Sequence, residues 1–249
     1  MIRRRRILTT YGRIWRTYRA WAPSLFSLAL IVFLPLGLID AVAANVDVGA
    51  LDLTSGIKVT AIVFAVGAVT MTGLLGELFF SGAIAISLTH PHGETPPSLP
   101  EIARRVKYGR LILVDFAFVA IVAAAGLIAV IPGVLAFVFF GLAGPVVEIE
   151  ERSAHRALLR SFQLVRGSFW LVFWVLVPIE IVGDAIGRGL AGLVHDLFGD
   201  TFVATWLAEA LSNVALSPVF AVAAVLLTVD LIAARDGVAP PLHHEPVAA

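Results

Sequence analysis

Residues 101–131 read EIARRVKYGRLILVDFAFVAIVAAAGLIAVI. Four cations, Arg104, Arg105, Lys107 and Arg110, end abruptly, and the next twenty-one residues carry one charge, Asp115. A hydrocarbon layer is crossed by about 20 mainly apolar residues in helical form. The stretch therefore predicts a transmembrane helix over about 110–131, entered from a basic surface. The same alternation of basic segment and apolar run extends in both directions and decides the fold class.

Outward from it, six spans are predicted, at about 24–44, 59–88, 110–131, 133–149, 168–190 and 207–233. The second and sixth are long enough to tilt or kink, with Gly73, Gly76 and Gly82 as bend points in the second. Ile131-Pro132-Gly133 separates the third and fourth as a tight reversal. Sixteen of the eighteen Lys and Arg fall on one side of this arrangement. They are Arg3 to Arg6, Arg13, Arg16 and Arg19, then the 104–110 cluster, then Arg152, Arg156, Arg160 and Arg166, then Arg235. The other side keeps Lys58 and Arg188 with Asp47, Asp52, Asp196 and Asp200. Short cytoplasmic loops collect Lys and Arg, so both termini are expected in the cytoplasm and the chain in the inner (plasma) membrane. One span more or fewer would break the alternation.

Composition agrees. The chain has 249 residues, 59% hydrophobic and 14% charged, with a mean hydropathy of +0.93. Soluble domains carry about 25% charged residues. The net charge of zero hides segregation of sign, and the absence of cysteine excludes disulfides, Cys-ligated metals and Cys nucleophiles. Arg3–Arg6 followed by an apolar run and Ala41-Val42-Ala43 mimics a secretory signal. The basic region is too long for one, and the run is long enough to span.

The basic segments have their own periodicity. Ile7, Tyr11, Ile14, Trp15, Tyr18 and Trp21 form one helical stripe, with Arg13, Arg16 and Arg19 elsewhere. Ala154, Ala157, Leu158, Phe162 and Val165 form another, with Arg152, Arg156 and Arg160 on a different face. These predict interfacial helices over 1–23 and about 150–166, whose Arg13, Arg16, Arg19, Arg152, Arg156 and Arg160 contact lipid phosphate. The expected organisation is an all-α polytopic membrane protein: an interfacial helix at 1–23, a six-helix domain at 24–233 and a cytoplasmic tail at 234–249.

Ionisable residues inside spans are costly and by default functional. Glu180, Asp184 and Arg188 stand at i, i+4, i+8, on one face of the fifth helix. Glu77 lies near the middle of the second with no sequence-local partner. These four are the candidate intramembrane polar site. A blander reading pairs Asp184 with Arg188, and pairs Asp115 and Asp230 with Arg110, Arg160 or Arg166 near the basic surface. Gly183-x-x-x-Gly187 permits close helix approach.

No catalytic constellation is evident. No Ser has a nearby His and acid, and there is no phosphate-binding or dinucleotide glycine motif. His90-Pro91-His92 with Glu94, and His243-His244-Glu245, fall short of a three- or four-ligand metal set. No cofactor, metal or nucleic-acid partner is expected. Anionic membrane lipids and a membrane-protein partner are.

Ile131-Pro132-Gly133, Gly144-Pro145-Val146-Val147 with Glu148, Ala157-Leu158-Leu159-Arg160-Ser161, Leu164-Val165-Arg166-Gly167 and Phe169-Trp170 together resemble the glycerophosphoryl diester phosphodiesterase membrane-domain family. These are multi-span bacterial proteins, often stand-alone. Members tend to close the last span with Tyr, Asp-Leu and Arg. Here Val229-Asp230-Leu231-Ile232 keeps only the Asp-Leu. The phosphodiesterase chemistry of fused relatives belongs to a soluble barrel with a His-Arg motif and metal-binding acids. His155-Arg156 has no such acids beside it, and residues 234–249 leave no room for a barrel, so the resemblance implies a membrane domain without its catalytic partner. The expected function is that of a non-enzymatic scaffold, lipid-interacting or accessory envelope component. The alternatives are a small-solute or proton-linked transporter using Glu77, Glu180 and Asp184, and an intramembrane lipid-modifying enzyme using Glu77 or Asp115.

Overall fold

The computed structural model describes residues 2–44, 76–89, 97–199, 201–238 and 240–242. The described residues form nine helices and no strand. They are α1 (Ile2–Ala44), α2 (Glu77–Leu88), α3 (Leu99–Arg105), α4 (Tyr108–Ile128), α5 (Val130–Phe140), α6 (Ala143–Ile149), α7 (Ala154–Arg166), α8 (Phe169–Phe198) and α9 (Phe202–Asp236). Five stretches are long and apolar enough to cross a membrane: Arg6–Leu38, Tyr108–Ile128, Val130–Ile149, Phe169–Phe198 and Phe202–Asp236. Of the expected second span only the shorter apolar α2 is described.

α9 is the central post. It opens on Thr201, whose hydroxyl accepts a hydrogen bond from the Ala204 N–H at 3.1 Å, supplying a partner for one of the orphan donors of the first turn. From Phe220 to Val229 every residue is buried, as expected of a helix that is apolar all round. It packs against α1, α8 and α2. At the α1 contact, Gly37 lies so close to Ala210 that a Cβ on Gly37 would come within 3.1 Å of it.

The sharp reversal between the third and fourth expected spans falls at Ala129, three residues before the Pro-Gly pair begins. α4 ends at Ile128 and α5 starts at Val130, with Ala129 extended at φ −170°, ψ 160°. Pro132 sits within the first turn of α5, where a missing N–H costs nothing. Ile128 and Val130 at this tip are 81% and 78% exposed, an arrangement suited to lipid rather than water. The fourth stretch bends at Gly141-Leu142 into α6.

Two expectations about amphipathic segments are altered. The N-terminal stripe does not form a separate helix ending at Pro23. α1 runs through both Pro23 and Pro35 as one helix of 43 residues. Its stripe packs on the bundle: Ile14 and Trp21 are buried, and Tyr11 donates its hydroxyl hydrogen to the Trp174 carbonyl at 2.8 Å. α7 also rests on the bundle. Ala154, Ala157, Leu158, Leu164 and Val165 are buried, and the Ser161 hydroxyl donates to the Phe139 carbonyl at 2.8 Å. Phe162 moves to the edge of that face, where its ring meets Phe139 at 4.8 Å.

Candidate functional site

α2 begins at a point of unusual geometry. Gly76 has φ +93°, a conformation that glycine adopts without a steric penalty. A Cβ there would also run into the side chains of Leu36 and Phe33. Asp115 of α4 faces this helix start. Its Oδ2 accepts from the Gly76 N–H at 2.6 Å and its Oδ1 from the Leu78 N–H at 3.1 Å. The carboxylate thus satisfies two donors that a helix start leaves unpaired. Behind α2, Gly144 of α6 comes so near that a Cβ on it would overlap the Leu78 carbonyl oxygen and Ser81 Oγ. Asp115 and Gly144 together fix where the first residue of α2, Glu77, is held.

Glu77 is only 6% exposed. Its Oε2 is buried and has no hydrogen-bond partner among the described residues. It lines a cavity of about 160 Å³ between α2, α8 and α9. The polar wall from α8 is Glu180, Asp184 and Arg188, and that from α9 is Glu209, Ser212, Asn213 and Ser217. Ile179, Leu216 and Phe220 supply apolar wall. The cavity has a buried end and an open one. Glu77 is at the buried end and Glu180 is half-buried. Asp184 and Arg188 have side chains 61% and 74% exposed, with a long ion pair of 3.6 Å between them. A pair so exposed contributes little to stability.

α8 and α9 approach closely beside the cavity. The Ser212 hydroxyl donates to the Gly187 carbonyl at 3.0 Å and to the Ala208 carbonyl at 2.7 Å. A Cβ on Gly187 would stand 3.4 Å from that of Ser212. Gly183-x-x-x-Gly187 therefore lies on the α8 face that meets α9.

The sequence pattern selected Glu77, Glu180, Asp184 and Arg188, and the structure brings all four to one cavity. It missed the α9 wall. Glu209, Asn213 and Ser217 stand at i, i+4 and i+8, the same signature as Glu180, Asp184 and Arg188. That spacing was legible in the last span.

A second polar cluster lies where α1, α4 and α7 begin and α6 and α9 end. Arg160 of α7, only 9% exposed, sits between Glu150 and Asp236 and bonds to both. Burial opposes its charge, but the hydrogen bonds and charges of Glu150 and Asp236 outweigh this and raise its pKa. Glu150 also holds Arg152. Arg13 pairs with Asp230 at 2.8 Å. Lys107 donates its backbone N–H to Glu148 at 2.9 Å and its ammonium to Glu151 at 2.8 Å. Arg110 donates to the Glu151 carbonyl at 3.0 Å. Glu151 has a left-handed backbone, φ 52°. The Lys107 hydrogen bond and charge hold its carboxyl below the usual carboxylate range.

These contacts correct several expected pairings. Asp115 bonds to backbone N–H groups at the start of α2 rather than to Arg110, Arg160 or Arg166, its two oxygens being taken up by Gly76 and Leu78. Asp230 pairs with Arg13, since α1 lies along α9. Arg13, Arg152 and Arg160, expected on lipid phosphate, bond instead to Asp230, to Glu150, and to Glu150 and Asp236. Arg16 donates to the Gly12 carbonyl of its own helix at 3.3 Å, while Arg19 and Arg156 are exposed. Among the described residues no group of three or more His, Asp or Glu is placed to hold a metal ion. His90, His92, Glu94, His243, His244 and Glu245 lie outside the described residues. No protein-family model, no curated protein and no solved structure matches the chain.

Proposed function

We propose that this chain is a six-span plasma-membrane protein, with both ends in the cytoplasm, that carries a small polar solute through the acidic chamber between α2, α8 and α9. The observation that carries this reading is Glu77: a carboxyl group almost fully buried, with an unpartnered oxygen, on the wall of a cavity that also collects Glu180, Asp184 and Glu209. A buried polar group left without a partner costs on the order of 1–3 kcal/mol. A bound solute or water recovers that cost. The start of α2 at Glu77, held by Asp115, supports the same reading, because solute sites inside membranes are built at helix ends. The resemblance to the glycerophosphoryl diester phosphodiesterase membrane-domain family fits it too, as a membrane domain acting without the hydrolytic barrel.

The test is flux. The full chain is reconstituted in proteoliposomes, and currents or internal pH are followed on jumps of cationic, anionic and neutral solutes. Glu77→Gln and Glu180→Gln are expected to lower the responsive flux at least tenfold with the protein still monodisperse. Flux that ignores both substitutions, or no flux for any solute class, sinks the transport reading.

A second reading, a lipid-binding or accessory role, is favoured by the exposed Arg156 and Arg166 of α7 and Arg104 of α3. Native mass spectrometry tests it: a retained anionic phospholipid should be lost in the Arg104→Ala, Arg156→Ala, Arg166→Ala triple variant. Retention of the phospholipid by that variant removes the support.

A further inference from the structure

We infer that the solute taken by the acidic chamber is a small primary alkylammonium cation, bound in exchange for a proton on the chamber's carboxyl groups. This rests on the transport reading above and narrows it to a chemical class.

Charge excludes most alternatives. The titratable groups that face the cavity are Glu77 from α2, Glu180, Asp184 and Arg188 from α8, and Glu209 from α9. Leaving Glu209 aside, the three carboxyls of Glu77, Glu180 and Asp184 stand against the one guanidinium of Arg188 among the described residues of this wall. Behind Glu77, Asp115 adds a further acid, but both its oxygens are engaged by α2. Charges of one sign gathered in a low-dielectric space require compensation by protons or by a mobile cation. An anion would meet repulsion, and a neutral polyol would leave compensation to protons alone, with none released in exchange.

Geometry then chooses among cations. A bare metal ion needs several ligands within about 2.0–2.6 Å of one point. No group of three His, Asp or Glu among the described residues is so arranged. The acids are instead strung out: Glu180 to Arg188 covers eight residues of helix, about 12 Å along its axis. An alkylammonium brings three N–H donors of its own and can bridge separated acceptors. Its carbon stem matches the remaining wall of Ile179, Leu216 and Phe220, and the volume of about 160 Å³ leaves room for it.

The wall also contains an internal rival. Arg188, at the open end, holds its guanidinium 3.6 Å from Asp184 while 74% exposed. It is a tethered cation that an incoming ammonium displaces from Asp184. The exchange balances simply. A protonated carboxyl group releases its proton, and the resulting carboxylate pairs with the ammonium, so one positive charge enters for each that leaves.

The experiment measures binding of radiolabelled ethylamine, present as ethylammonium at about pH 8, to the full chain in lipid nanodiscs. Saturable binding is expected, with proton release into a weakly buffered medium. Ethanol, its neutral counterpart, should not compete, nor should sodium or potassium at equal concentration. Glu77→Gln and Glu180→Gln should each weaken binding at least tenfold, and Glu151→Gln, far from the chamber, should leave it unchanged. Arg188→Gln should tighten binding several-fold, which a variant that merely damages the fold does not do. Equal competition by sodium or potassium, or by ethanol, overturns the alkylammonium assignment and leaves the transport reading standing. No ethylammonium binding, beside Glu77-dependent flux of another solute in proteoliposomes, does the same. No binding and no Glu77-dependent flux overturns both.

Discussion

The two polar regions of this molecule use the same residue types in opposite ways. At the basic end, cations meet acids one by one: Arg160 lies between Glu150 and Asp236, Arg13 meets Asp230, and Lys107 meets Glu151. In the chamber, Glu77, Glu180 and Asp184 face a single guanidinium, that of Arg188, and it is loosely held. The first region is closed in charge and holds helices together. The second is open in charge and can take up what balances it. Removing a charge should therefore weaken the first and relieve the second.

The sharpest way to break the contrast is Arg160→Ala. It leaves Glu150, still paired with Arg152, beside the 42% exposed Asp236, so the cost is that of lost charge-assisted hydrogen bonds, about 1.5–3 kcal/mol. The thermal midpoint in detergent should fall by roughly 3–12 °C at about 2–4 °C per kcal/mol for a chain of this size. A fall of only a degree or two would mean that this end is not a latch.

Next comes Gly144→Ala. Its new methyl group meets the Leu78 carbonyl, which is backbone and cannot turn aside. Overpacking of this kind costs about 1–3 kcal/mol. Because α2 must shift, the flux assigned to Glu77 should fall with stability. Undiminished flux would show that the placement of α2 does not matter to the chamber.

Glu77→Gln tests the opposite sign. Replacing the unpartnered carboxyl with a neutral amide should leave stability unchanged or raise it by about 1 kcal/mol, even as flux is lost. A large loss of stability would place Glu77 among the structural acids and erase the contrast.

The smallest effect is a pH dependence at the basic end. Glu151's carboxyl is held below its ordinary value by Lys107. The stabilisation is therefore present above the unfolded-state pKa and is lost as pH falls through the depressed folded value. Unfolding midpoints followed from neutral to acid pH should lose a component that Lys107→Met abolishes. Identical pH profiles for the two proteins would deny the pair any role.

Much of this was legible in the sequence. The apolar runs predicted helices that the structure shows at 108–128, 130–149, 169–198 and 202–236, because hydropathy over about 20 residues reports a property of the segment alone. The pattern also nominated the acids of α2 and α8, since an ionisable residue in an apolar run is conspicuous wherever it points. Pairing was not legible. Arg13 and Asp230 are 217 residues apart, and only the packing of α1 along α9 joins them. The role of Asp115 was hidden for a related reason. It answers backbone N–H groups at Gly76 and Leu78, and backbone donors leave no trace in residue identity. Pro23 misled because proline disfavours helix interiors, yet α1 continues through it on the strength of the contacts that line its length.

The pairing of α1 with α9 makes neighbours of the first and last of the described helices. Tyr11 and Arg13, close to the N-terminus, reach Trp174 and Asp230. During synthesis α1 is made long before α9, so the surface that it packs against does not yet exist. The contact between α1 and α9 therefore forms after the helices that lie between them in the chain. A chain interrupted anywhere before residue 230 leaves Arg13 without Asp230 and the α9-facing side of α1 bare, so the contact can form only once α9 has been made.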